Sequence, residues 1–215
     1  MHDHPAQPVL IVTADDYGYA PGYNRGILVA VGAGALDAVS AMVGRRWCEP
    51  APLLAAGVEI GLHLELPGDP PPAQTERFES LFGHAPAFLD GHHHCHASDE
   101  HAGAVARFAA EQGLPVRSVD DAHRRLLREA GVATQDRLVG RRDPSEPALP
   151  PLLAGDDPLP AGVTEWFVHP GYRDPRAGSA YDEPREQDLE MLLTVGHELA
   201  RRAVRRTHGE ALAGR

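Results

Sequence analysis

Residues 9–16 read Val9-Leu10-Ile11-Val12-Thr13-Ala14-Asp15-Asp16. The first six are a continuous apolar, β-branched run, the pattern of a strand buried on both faces. The run stops on two adjacent carboxylates. Side chains leave the end of a strand in different directions, so one Asp could ligate a metal while the other accepts a proton from water. The ordinary alternative is an Asp that caps the next turn.

Outward from this strand the chain alternates. Pro21 suits a first helical turn and Asn24 to Ala35 reads as a helix. Ala38 to Val43 is a second strand, Pro52 to Ala56 a short helix stopped by Gly57, and Val58 to Leu66 a third strand. Ala87 to Asp90 leads into Gly91-His92-His93-His94-Cys95-His96, a fourth strand ending in a polar loop. Ser98 caps a helix from Asp99 to Gln112, closed by Gly113, and Pro115 to Val119 is a fifth strand. Asp120 or Asp121 opens a helix to Ala130. Val163 to Val168 is a late strand and Pro184 to Arg206 a long final helix. Such alternation predicts a parallel α/β architecture. Residues 141–162, rich in Pro, Asp and Gly, read as a surface loop, and the chain from His208 onward as a frayed tail. No internal repeat interrupts residues 1–215, so one domain is expected.

Polar residues gather at the predicted strand ends. Asp15 and Asp16, His63, the tract from Asp90 to His96, and His169 all fall there. In a parallel barrel those ends converge on one face, which carries the active site. His63 and Glu65 alternate with Leu62, Leu64 and Leu66, so His63 points away from the leucines. If the tract is extended, His92, His94 and His96 share one face, while His93 and Cys95 share the other. A hydrolytic metal keeps about three protein ligands. The remaining histidines and Asp90 would then orient those ligands or touch substrate. His169 precedes a Pro-Gly turn, well placed to protonate a leaving amine. The early His2-Asp3-His4 reads as an exposed tail.

Composition narrows the field. Apolar residues make up 42% of the chain, enough for a sizeable core, and 13 histidines exceed ordinary usage. A formal charge of -11 argues against a nucleic-acid partner. The cluster Arg201, Arg202, Arg205 and Arg206 reads as a solvated helix end. Cys48 and Cys95 make no disulfide framework. Neither a secretory leader nor an apolar run long enough to span a membrane is visible, so a cytoplasmic location is expected.

Taken in order, these motifs resemble the YdjC-like carbohydrate deacetylases, which include chitooligosaccharide deacetylases and relatives linked to hopanoid synthesis. Ala14-Asp15-Asp16-Tyr17-Gly18 resembles the family's Ala-Asp-Asp-Phe-Gly, with Asn24 and Gly26-Ile27 following. Gly61-Leu62-His63-Leu64 is similar to its Gly-x-His-Leu, and Asp90 to His96 to its Asp-x-His-x-His-x-His. His169-Pro170-Gly171 and Tyr181…Arg185-Glu186 complete the set. The resemblance implies an irregular (β/α) TIM-like barrel. It also implies one divalent metal on Asp16, His63 and His92, with Asp15 as general base, His169 as acid, and Asp90, His94 and His96 around them. Zinc or magnesium suits such a set, with manganese, cobalt and iron as further candidates. The activity implied is removal of acetyl from a small N-acetylated carbohydrate or glycolipid, by a chain that forms a homodimer. Residues 64–89 form a shorter stretch than is usual in the family, which points to small or lipid-linked glycans.

Two other readings compete. A metal-dependent phosphoesterase on a similar barrel would need more rim carboxylates and Arg or Lys for phosphate. The strand ends offer one Asp pair, with few basic groups near in sequence. A non-catalytic, histidine-rich metal-binding protein would hold several ions and have no need of Asp15.

Overall fold

A computed structural model describes residues 7–214, and His2-Asp3-His4 lies outside them. The chain runs β1 (Val9–Tyr17), α1 (Pro21–Gly32), β2 (Ala38–Ala41), α2 (Pro50–Ala56), β3 (Glu59–Leu64), α3 (Pro71–Phe82), β4 (Leu89–Gly91) and α4 (Ala102–Gln112). It continues through α5 (Asp121–Glu129), β5 (Arg137–Val139), α6 (Pro151–Ala154), β6 (Val163–Val168), α7 (Pro184–Arg202), β7 (Val204–Arg205) and α8 (His208–Leu212). Prolines open α1, α2, α3, α6 and α7, where a missing N–H costs nothing. Left-handed glycines close α2, α3 and α4.

All strand pairs are parallel, in the order β4-β3-β2-β1-β6-β5, with β7 beside the start of β1. The sheet curls into a half-barrel. Its open side is spanned by short backbone links: Leu89 N–H to Pro115 O, Arg117 N–H to Leu89 O, Val116 N–H to Ala133 O and Asp136 N–H to Val163 O, all 2.9–3.0 Å. Alternation divides every strand. Leu10, Val12, Ala14, Val39, Ile60, Leu62, Leu89, Trp166 and Val168 face the helices and make the main core. The concave face holds Thr13, Asp15, Ser40, His63, Asp90 and Glu165, all buried.

Several expectations need correction. Residues 115–119 make a single bridge, Leu89 with Val116, instead of a strand; Pro115 has no N–H to give a ladder. A helix that the run Pro70-Pro71-Pro72 concealed, α3, occupies the short stretch between β3 and β4. Its buried Gln74 pins the end of β3, accepting from Glu65 N–H and donating to Glu65 O, both at 3.1 Å. Residues 141–162 include α6, which buries Leu153. The long helix ends at Arg202, and the arginine cluster around that end is not merely solvated. Arg205 lies in β7 and pairs with Asp37 at 2.7 Å, while Arg202 donates to the Leu153 and Asp157 carbonyls. The tail expected to fray from His208 is α8, held by a Thr207–Glu210 capping box. Leu212 packs on Ile11 and Val163, so α8 closes the concave face near the strand starts.

Candidate active site

Asp15 and Asp16 reach one site because β1 is irregular. Its register against β2 shifts between Ala14 and Tyr17, and Asp16 takes a left-handed φ of 69°. Three residues of β1 there oppose two of β2, a bulge. Without it Asp15 and Asp16 would face opposite sides of the sheet. Gly18 (φ 101°) completes the turn, donating to Asn24 Oδ1 at 2.7 Å, and Asn24 in turn donates to Trp47 O.

Asp16 Oδ1 lies 2.9 Å from His92 Nδ1 and 3.3 Å from His63 Nε2. The three donor atoms fall within 4.8 Å of one another. On the far side of His63, Nδ1 meets Asp90 Oδ1 at 2.8 Å, and Ser40 also donates to that oxygen. A carboxylate behind a ligating imidazole fixes its ring and tautomer. Burial works against the charge on Asp16, yet Arg185, then His63 and His92, outweigh it and hold its pKa well below the usual carboxylate range. Burial likewise opposes protonation of His63, but Asp90 and Asp16 drive its pKa well above the imidazole range. The carboxylates therefore favour positive charge at this point. One carboxylate and two imidazoles with positions left open fit a divalent hydrolytic metal.

Asp15 sits beneath. Both its oxygens accept from Arg117, at 2.7 and 2.8 Å. Burial pushes its pKa up to about 6, against the pull of Arg117 and with the push of Asp90. Arg117 also reaches Asp90 and Glu165, each at 2.9 Å. Arg185 crosses above, ion-paired to Asp16 Oδ2 and stacked 3.7 Å over the Tyr23 ring.

The histidine tract is not extended. His92–Ala97 coils into a 3-10 turn with His93 and His94 left-handed (φ 51° and 56°). A Cβ on Gly91 would stand 2.9 Å from Cys95 Sγ and His96 Nδ1, so a glycine there lets the tract fold back. The shared face of His92, His94 and His96 therefore does not exist. His94 packs edge-on to Phe167, 5.2 Å between centroids. His96 is fully buried with Nε2 2.9 Å from Arg117 O, and Cys95 donates to Leu64 O. Burial lowers the pKa of His94 to about 2 and of His96 to about 3, so both are neutral. Asp16, His93 and His94 are the non-glycine residues with positive φ among those described, and all three line the site.

A cavity of about 150 Å³ opens over Asp15, Asp16, His63 and His92. His169 and Tyr181 form one wall, their rings 4.8 Å apart. Burial, with Arg185, lowers the pKa of His169 to about 3 although Asp16 opposes this, so its imidazole is neutral. Arg141, Arg142 and Arg185 also line the cavity. This corrects the expectation of few basic groups nearby: the loop at 141–162 and the start of α7 bring them in from afar. Arg117 was absent from the sequence reading, and Arg185 entered it only within a family motif, with no role of its own. An arginine inside the apolar Val116…Val119 run was the available signal for the first.

A family model described as YdjC-like protein matches residues 9–72 and 71–198. The chain is 29% identical to a chitooligosaccharide deacetylase of Serratia marcescens, over 86% of this chain and 91% of that one. It is also 29% identical to one from Klebsiella pneumoniae subsp. pneumoniae, over 89% and 93%. A crystal structure from Enterococcus faecalis V583, provisionally described as a cellobiose-phosphate cleavage protein, shares the fold. Its TM-score is 0.80 at 23% identity, covering 97% of this chain and all of that one.

Proposed function

The chain belongs to the YdjC-like family, and on that footing we propose that it is a metal-dependent hydrolase that removes acetyl from an N-acetylated sugar. One observation carries the reading: Asp16, His63 and His92 converge within 4.8 Å at the floor of a cavity that Asp15 also lines. The curled sheet with its spanned open side is, in this reading, an irregular (β/α) barrel of TIM type. A divalent ion on those three ligands would polarise the acetamide carbonyl and acidify water.

The chain's own groups supply the rest. Asp15, with a pKa near 6, is ionised at neutral pH yet basic enough to take a proton from the attacking water. Arg117's fork holds both its oxygens and so fixes its aim. A neutral His169 holds no spare proton at rest. In this scheme it donates an N–H toward the acetamide, and passes to the departing amine the proton that Asp15 collected. Arg185 holds Asp16 Oδ2 and leaves Oδ1 facing the imidazoles. The cavity's size favours a small sugar, and Arg141 and Arg142 suit an anionic substituent on it.

Those arginines also favour a second reading, phosphoester hydrolysis at the same centre. Assaying purified protein separates the two. Acetate release from N-acetylated mono- and disaccharides, abolished by chelator and restored by divalent metal, is the expected result. Phosphatase activity without any deacetylation would overturn it.

A further inference from the structure

The concave face carries charges that reach far below the cavity. His208, on α8 at the opposite end of the strands, is 2% exposed and stacks on Phe88 with 3.7 Å between ring centroids. Its Nδ1 meets Glu59 Oε2 at 2.9 Å, and its Nε2 lies 3.3 Å from Glu165 Oε1. That same Glu165 oxygen accepts from Arg117 Nε at 2.9 Å. Arg117 then forks onto Asp15. A column of alternating charge thus runs from α8 to Asp15 through two buried residues.

We infer that His208 is a positioning residue for the site: by sharing Glu165 Oε1 with Arg117, its imidazolium fixes the seat of the guanidinium and the share of its charge that reaches Asp15. Remove that cation and Glu165, buried beside Arg117 alone, draws the guanidinium toward itself. Asp15 then loses the partner that aims it. The groups facing His208 are Glu59 on β3 and Glu165 on β6, with the Asp37–Arg205 pair near enough to interact. Burial opposes the imidazolium, but Glu165 and then Glu59 raise its pKa to about 9. The column is therefore intact at neutral pH and opens in mild alkali.

The activity arm rests on the deacetylase reading; a second arm does not. The side-chain Nε–Hε resonance of Arg117 in the metal-free protein should shift with a midpoint near pH 9, that of His208. His208→Gln should abolish the shift. Glu59→Gln, which leaves Arg117's contacts untouched, should move the midpoint to lower pH. In acetate release, His208→Gln should lower kcat about ten- to a hundredfold with KM and bound metal unchanged. If His208→Gln does not fold, Glu59→Gln still decides the matter. An Arg117 resonance flat through pH 9 in the wild-type chain, or unmoved in its midpoint by Glu59→Gln, would overturn the inference. A wild-type chain that releases no acetate would overturn the activity reading alone, and the resonance arm would still stand.

Discussion

Asp15 and Asp16 are neighbours in sequence with different proposed work, and each can be tested alone. Asp16→Asn keeps a side chain that tolerates the left-handed φ of 69°. It should fold normally but bind zinc more weakly, because an amide is a poorer ligand than a carboxylate; isothermal titration reads this directly. Asp15→Asn should keep the metal and lose roughly 10²–10⁴-fold in rate. Equal metal affinity in Asp16→Asn, or full rate in metal-loaded Asp15→Asn, would show the roles to be shared or reversed. In the histidine tract, His92→Ala should empty the site while His94→Ala, which packs on Phe167, should spare it; metal per chain is the measurement. Strand ends made Asp15 and Asp16, His63 and the Asp90 to His96 tract legible as candidates, and the resemblance to the family singled out Asp16, His63 and His92 among them. The sequence could not show how the two aspartates meet at one site, since that depends on a bulge and one unusual φ. Arg117 stayed hidden for another reason: its three carboxylate partners come from β1, β4 and β6, and no local pattern links them.

Among the elements, β1 to β4, α1, α2, α4, α5, β6 and α7 were readable, while α3, β5, α6, β7 and α8 were not. β1 announces itself by a continuous apolar run, β3 by alternation, α7 by its opening proline and α4 by its closing glycine. The three-residue β5 draws its identity from its neighbour β6 instead. β3 carries a packing requirement that can be tested. A Cβ on Gly61 would stand 2.3–2.5 Å from the tip of the Phe88 ring, which is itself stacked on His208. Gly61→Ala should therefore destabilise the fold by about 1–3 kcal/mol. Phe88→Leu should return part of that loss in the double variant, although each change is destabilising alone. Urea unfolding of the four proteins closes the cycle; strictly additive losses would mean the ring is not the obstacle.

At the scale of the whole molecule, the concave face of the half-barrel carries the buried charges above a small Ile11–Val163–Leu212 cluster, while the main apolar core lies between sheet and helices. Stability should follow the interior charges. The folded pKa of His208, about 9, stands above its ordinary value of 6.5. Its contribution is then complete below pH 6.5 and fades as pH rises through 9, on the order of 3 kcal/mol in all. Glu165 works oppositely. Burial opposes its charge, but Arg117 and His208 lower its pKa to about 2, so its contribution holds above the ordinary carboxylate range and is lost in acid. Denaturant midpoints measured from pH 2 to pH 10 should show a plateau with both shoulders falling. His208→Gln should flatten the alkaline one. One further consequence follows from where β1 lies. Its partners are β2 on one side and β6 on the other, with β7 beside its first residues. A ribosome delivers β1 first and β6 and β7 last. Through most of translation the strand bearing both aspartates has an open edge, with Arg117, Arg185 and α8 still to be made. A nascent chain has no finished seat for an ion, so the metal proposed on Asp16, His63 and His92 would be held only after β6, α7 and α8 have packed against the sheet.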